Sequence, residues 1–305
     1  MKLQPAILWG LFLVSRGIEA TDYTFLNADT FVAQDKVFHF EADYGRVAPA
    51  KITTGDVFGT KMHYSEGNSA LYFSHFLDKE NALTWQVGAN YTGLGWDENP
   101  RFTGNNYTYG IGSLTWISHA LNHWRWVVNG GVAVDTYTFN FGRSAVYYSM
   151  LWGRYQHLED LGIHIGFFAY YGAKNGYVLP ILGLDYQFTP KLELKAVFPI
   201  DISLNYRFVR HWMTSLIFTS LGGPYRFPRK MHGGIGEFHN GVFKVYSTVL
   251  EWDLKFLQDD VFKIGAGAGW NFGGWIQTST SDNHDKKYYH FNGAAYGRVY
   301  ATLTF

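Results

Sequence analysis

His63-Tyr64-Ser65 sets an imidazole and a hydroxyl two residues apart. Side chains on a β-strand switch face at every residue, so His63 and Ser65 share one face and the imidazole stands ready to act as base for the hydroxyl. Such a pair needs a third polar group to orient the ring. The following stretch offers Ala70, Tyr72 and Ser74 on one face and Leu71, Phe73 and His75 on the other, with no Asn, Asp or Glu among them. With 12 histidines in the chain an H-x-S triplet also arises easily by chance. The expectation is therefore that the chain is not an enzyme, with His63 and Ser65 as weak catalytic candidates.

A second set of polar residues alternates with apolar ones: Glu41, Asp43, Gln86, Asn90, Glu193, Lys195, Asn205, Arg207, Glu251, Asp253, Lys255 and Asn271. Gathered on one side of a sheet, such groups hydrate and pass polar solutes; because both signs occur, strong ion selectivity is not expected. Taken singly, each reads more readily as a solvated or internally paired charge with no role in conduction. The link GGPYRFPRKMHGGIGEFHNG over 222–241 carries Arg226, Arg229 and Lys230, which either fold inward as a constriction or lie on anionic headgroups. His211, His232 and His239 have neither a strand spacing of two nor a recognised ligand spacing, so no metal is expected. There is no Cys, which removes thiolate ligands, disulfides and thiol nucleophiles together. No cofactor is expected.

The elements that carry these residues read as strands. Leu83, Trp85, Val87, Ala89 and Tyr91 interleave with Thr84, Gln86, Gly88, Asn90 and Thr92; Phe38, Phe40, Ala42 and Tyr44 interleave with His39, Glu41 and Asp43. Leu192 to Phe198, Ile202 to Phe208 and Phe262 to Phe272 repeat the pattern. A soluble sandwich also alternates. Several of these stretches, however, are well over the usual five or six residues of a soluble strand and reach the roughly 9 to 11 that a membrane strand needs. Short turns at 78–81, 121–123, 156–160, 189–191, 210–211 and 258–260 largely alternate with longer links near 96–105, 138–145, 172–178, 222–241 and 274–290, as when every second connection faces the opposite side of a membrane. Only the link at Pro199-Ile200-Asp201 is short where the alternation wants a long one. Barrels with both termini on one side have even strand numbers. Merging 56–77 into one strand, bulged around Glu66-Gly67-Asn68, gives fourteen, with twelve or sixteen as alternatives. The expected fold is all-β: a transmembrane antiparallel up-and-down β-barrel. Its apolar face meets lipid, its polar face a lumen, and Trp96, Trp116, Trp124, Trp126, Trp152, Trp212, Trp252, Trp270 and Trp275 form girdles near strand ends.

The 305 residues carry 25 basic and 25 acidic side chains and are 19% aromatic, with 34 Gly. Charge balance argues against nucleic acid as a partner, and the aromatic and glycine content favours β structure over disorder. The opening MKLQPAILWGLFLVSRGIEA has Lys2, an apolar run from Pro5 to Val14 and Ala20 at a small-residue site, the form of a signal peptide. The expected organisation is a signal peptide at 1–20, an N-terminal periplasmic segment at 21–36 and one barrel domain at 37–305.

The ending YGRVYATLTF, with Val299, Ala301, Leu303 and Phe305 alternating against Arg298, Tyr300, Thr302 and Thr304, resembles the terminal signature of Gram-negative outer-membrane proteins. That resemblance implies an integral outer-membrane location, lipid as surroundings, and delivery to the barrel-assembly machinery, which reads the last strand. The stretch from Tyr177 to Phe208 looks like the paired hairpins of poorly characterised porin-like barrels. His63-Tyr64-Ser65 resembles the His-x-Ser of outer-membrane phospholipases and lipid A deacylases, whose neighbouring strand usually adds Asn or Glu. The leading expectation is a porin-like channel for passive diffusion of small hydrophilic solutes. The alternatives are a lipid-modifying hydrolase and a structural or adhesive barrel whose outer loops, such as 281–290, contact other surfaces. Oligomeric state is not legible.

Overall fold

A computed structural model describes residues 37–55, 57–97, 106–137, 139, 141, 145–172, 175–226, 242–258, 261–279 and 286–305. The signal-peptide and periplasmic-segment readings at 1–36 lie outside the described residues. Among the described residues sixteen strands follow one another: β1 (Phe38–Lys51), β2 (Lys61–Phe76), β3 (Asn81–Trp96), β4 (Asn106–Ser118), β5 (Trp124–Asp135), β6 (Ala145–Leu158), β7 (Leu161–Gly172) and β8 (Asn175–Thr189). Then come β9 (Leu192–Phe198), β10 (Asp201–Val209), β11 (Trp212–Leu221), β12 (Pro224–Arg226), β13 (Val242–Gln258), β14 (Phe262–Ser279), β15 (Lys287–Phe291) and β16 (Ala294–Thr304).

Each strand from β1 to β11 pairs antiparallel with its sequence neighbour, β11 pairs with β13, β13 with β14, β14 with β16, and β16 with β1, so the sheet closes on itself. The short β12 and β15 continue β11 and β16 along the rim. Without them the wall has fourteen strands, as expected from the sequence. Phe38 and Phe305 form the last rung of the seam: each backbone N–H donates to the other's carbonyl, at 3.1 and 2.8 Å. Closure leaves no long unpaired edge, the condition for a sheet in a medium that offers the backbone no hydrogen bonds.

Three expectations about the strands are corrected. No bulge interrupts 61–76; the irregularity lies on the partner, between Val47 and Ala50 of β1. The presumed long link at 172–178 shrinks because β7 and β8 remain paired out to Gly172 and Asn175. The one at 274–290 shrinks because β14 runs on to Ser279 and β15 pairs with it. At the opposite end the β2–β3 turn is held by Asp78, whose Oδ1 accepts from the backbone N–H of Glu80 (2.7 Å) and of Asn81 (2.8 Å). The hydrogen bond from the Asn81 side chain, chiefly, keeps the Asp78 carboxyl below its usual pKa.

Which face each strand presents follows from the alternation. Outward residues include Val87 (62% exposed), Trp252 (71%) and Val299 (57%), with Leu71, Phe73, Trp85, Leu114, Ile163, Ile165, Phe167, Leu182, Leu184, Leu216, Ile264 and Trp270 also exposed. A soluble monomer rarely exposes more than a few hundred Å² of contiguous apolar surface, and this belt runs around the whole wall. The wall is built for lipid, and the barrel is a membrane-embedded one.

The inward face is less uniformly polar than the sequence suggests. Tyr64, Leu94, Tyr107, Tyr109, Ile111, Tyr148, Met150, Phe168, Tyr170 and Ile181 face inward and form one buried apolar cluster with Phe243, Val245 and Ile276 of the β13–β14 hairpin. The expected division into apolar outside and polar lumen is corrected here: the half of the lumen toward the long links, beside β2 to β8, is packed with aromatic and aliphatic side chains. Two girdle tryptophans move with it. Trp96 packs edge-on against Phe243 at 6.5 Å, and Trp152 is buried in the lumen against His164. Trp124 and Trp126 do sit outside at a strand end, stacked at 5.0 Å, and Trp212 opens β11.

Candidate functional site

The rest of the lumen holds a polar chamber of about 260 Å³. Its lining comes from β1 (Glu41, Ala42, Asp43), β2 (Glu66, Asn68), β9 and β10 (Glu193, Lys195, Asp201, Ser203, Asn205), β11 (Met213, Ile217, Thr219), β13 and β14 (Lys255, Lys263) and β16 (Tyr296, Arg298, Tyr300, Thr302). Register explains the gathering: Glu41 pairs with Thr302, Asp43 with Tyr300, and Lys195 with Ser203, so partners on adjacent strands point the same way.

A glycine floor shapes one side. Gly265, Gly267 and Gly269 occupy successive inward positions of β14, and a Cβ on Gly267 would run into the Glu251 carboxylate, one on Gly265 into the Tyr300 ring. Over this floor β13 and β16 side chains meet: Arg298 Nε donates to Glu251 Oε1 at 3.1 Å, and the Tyr300 hydroxyl donates to Asp253 Oδ2 at 2.8 Å. Lys255 Nζ stands 3.5 Å from the same oxygen, Asp253 Oδ2. Glu251 and Asp253 are fully buried, and charges out of water persist only where they are paired and hydrogen-bonded.

The opposite flank is tied through tyrosine. Tyr72 donates to Glu41 Oε1 at 2.5 Å and Tyr64 to Glu66 Oε2 at 2.9 Å, while His39 Nδ1 meets Thr304 Oγ1 at 2.9 Å across the seam. Asn68 Nδ2 reaches both oxygens of Asp43, at 3.3 and 3.2 Å, and its Oδ1 accepts from Asn90 at 2.6 Å.

Most lumen candidates from the sequence therefore face inward, but they divide into two groups. Glu41, Asp43, Glu193, Lys195, Asn205 and Lys255 line the chamber; Glu251 and Asp253 buttress it from behind. Gln86, Asn90 and Asn271 are inward yet sealed in wall-to-wall hydrogen bonds, Gln86 with Tyr72 and Ser113, Asn271 with Ser247 and the Gly273 backbone. Arg207 shares the face of Asn205 but projects, exposed, at the short-turn rim. Arg226 ends β12, and Arg229 and Lys230 lie outside the described residues. Among the described residues no three His, Asp or Glu side chains gather as a metal-ligand set.

Sequence reasoning missed Glu66, Lys263, Arg298 as an ion-pair partner, and a second cluster near the short-turn end. In that cluster Arg154 donates from Nε (3.1 Å) and Nη2 (2.5 Å) to the two carboxylate oxygens of Asp185, reaching over Gly162 of β7. His164 Nε2 also meets Asp185, and Trp152 Nε1 donates to His164 Nδ1 at 3.0 Å. Since indole is only a donor, Nδ1 is the unprotonated nitrogen and Nε2–H points to the carboxylate.

His63 and Ser65 lie on the outward face of β2, toward the long-link end. His63 Nε2 meets Asp97 Oδ1 at 2.9 Å, an acidic partner just past the end of β3 that the 70–75 stretch did not contain. Ser65 stands opposite Gly93, with Tyr91 close by, and no hydrogen bond joins it to His63.

These observations define a closed fourteen-strand antiparallel β-barrel, porin-like in form, with a lipid-facing wall and a charged chamber inside. No family model matches the chain. It is similar to curated proteins described as uncharacterized: one from Chlamydia pneumoniae, 26% identical over 218 residues (70% of this chain, 65% of the relative), and one from Chlamydia trachomatis, 25% identical over 201 residues (65% and 60%). A third, from Chlamydia muridarum, is 26% identical over 189 residues, covering 61% of this chain and 57% of the relative. The chain thus spans about three fifths of the length of the curated relatives it matches. Among solved structures, a TodX monoaromatic hydrocarbon channel mutant has a TM-score of 0.44 at 9% identity, covering 93% of this chain and 94% of that one. The KdgM porin in complex with oligogalacturonate has a TM-score of 0.33 at 10% identity, covering 87% and 99%. At these values nothing that those channels carry is transferred to this chain.

Proposed function

We propose that the barrel is an outer-membrane channel for passive diffusion of small hydrophilic solutes. The observation that carries the reading is the chamber itself. It is an inward pocket of about 260 Å³ beside the apolar cluster of the lumen, bordered by Glu41, Asp43, Glu66, Glu193 and Asp201 and by Lys195, Lys255, Lys263 and Arg298. Pockets for drug-sized ligands occupy roughly 300 to 1,000 Å³, so the chamber suits solutes smaller than these. Five carboxylates against four cations give little net charge, which supports weak ion selectivity. In this reading the N-terminal stretch exports the chain, and the barrel-assembly machinery inserts it through the final strand that ends at Phe305. Swelling of liposomes that contain the purified barrel tests it: small amino acids and monosaccharides should enter faster than disaccharides, and equal exclusion of all of them would refute the reading.

One observation supports a second reading, a lipid hydrolase at the outward rim: the 2.9 Å contact of His63 with Asp97, on the face that carries Ser65. It requires phospholipid or lipid A hydrolysis by the parent protein and its loss in Ser65→Ala. The channel reading requires neither.

A further inference from the structure

Arg125 and Arg154 stand directly opposite each other in the β5–β6 ladder, both facing inward near the short-turn rim. Arg154 takes the Asp185 carboxylate with its Nε and Nη2 edge. On Arg125 the same two atoms, Nε and Nη2, are shielded from solvent and have no hydrogen-bond partner. A buried donor left unmade is costly, more so on a charged group, and this edge of a guanidinium matches the two oxygens of an oxyanion. His119, just past the end of β4, lies close enough for the Arg125 guanidinium to disfavour its protonation, so it adds no negative charge.

We propose that the Nε and Nη2 edge of Arg125 is an oxyanion-binding site in the lumen, taking the carboxylate or phosphate group of a small solute. Arg154 shows the filled form of the site: the same edge, two strand positions matched in register, holding a carboxylate. Arg125 presents the same edge without a protein partner, and Gln156, which accepts from Arg154 Nη1 at 2.5 Å, helps hold the neighbouring guanidinium on Asp185. The site is separate from the charged chamber, whose lining includes neither arginine. It also stands whether or not the barrel conducts.

Calorimetric titration of the full-length barrel in detergent, in excess chloride, with inorganic phosphate in one arm and acetate in the other tests it. Saturable binding at one site per barrel is expected in at least one arm, and which arm is tighter assigns phosphate or carboxylate as the preferred group. Arg125→Gln should weaken it by about tenfold or more, the loss of a bidentate charged contact. Arg125→Lys, which keeps the charge but not the fork, should fall between; it also serves as the comparison if Arg125→Gln does not yield a heat-modifiable barrel. Absence of saturable binding in both arms, or affinity unchanged in Arg125→Gln, would overturn the proposal.

Discussion

Glu251 and Arg298 sit on strands that share no backbone hydrogen bond, β13 and β16, and their side chains meet at 3.1 Å above Gly267 of the strand between them. The pair depends on the absence of a side chain at 267. Gly267→Ala should push the Glu251 carboxylate off Arg298, leave buried charge under-paired, and cost about 2 to 4 kcal/mol in urea unfolding from lipid vesicles. Gly112→Ala is the control, because a Cβ there meets nothing within 4 Å; it should change stability by no more than about 0.5 kcal/mol. Equal effects of the two substitutions would remove the glycine floor as an explanation.

The seam rung gives a second prediction. Deleting Phe305 removes two backbone hydrogen bonds to Phe38 and a ring contact at 5.9 Å. The heat-modifiable, folded fraction in the membrane should drop while export continues, with a stability loss of about 1 to 3 kcal/mol in whatever folds. A folded fraction equal to wild type would show the rung to be dispensable.

Acidification should weaken the rim. Burial, and secondarily the Arg125 guanidinium, hold the His119 imidazole below its usual pKa. The folded state thus binds this proton less readily than the unfolded chain, so the contribution is complete above the unfolded value and is lost as pH falls through the folded one. Urea midpoints should decline from neutral pH towards about pH 5, and His119→Gln should flatten part of that decline. An identical pH slope in the variant would remove His119 from the account.

Chamber charge should set selectivity. Lys195→Glu changes the lining from five carboxylates and four cations to six and three. Reversal potentials in a salt gradient should move toward cations, whereas Arg207→Glu, at the exposed rim, should move them less. An equal shift for both would place the selective region elsewhere.

How much of this was readable from the sequence depends on the strand. In β1, β3, β9 and β10 polar and apolar residues alternate cleanly, and their faces and the count of fourteen followed. In β6 and β7 they do not: Tyr147 faces lipid and Tyr148 the lumen, Phe167 faces lipid and Phe168 the lumen. An aromatic residue is acceptable on both sides, so alternation carries no signal there, and the apolar half of the lumen stayed hidden. The cluster of Arg154, His164 and Asp185 was invisible for another reason: its members come from three strands and are brought together by register, with Gly162 as the gap they cross. His63 and Ser65 were legible as a pair, but Asp97 lies past the end of the neighbouring strand, outside the stretch where a partner was sought.

Single-channel recording of the purified barrel in a planar bilayer tests the central claim most directly. Discrete, small conductance steps are predicted, altered in selectivity by Lys195→Glu. A barrel that is folded and heat-modifiable, inserts, and yields no steps would contradict the channel reading.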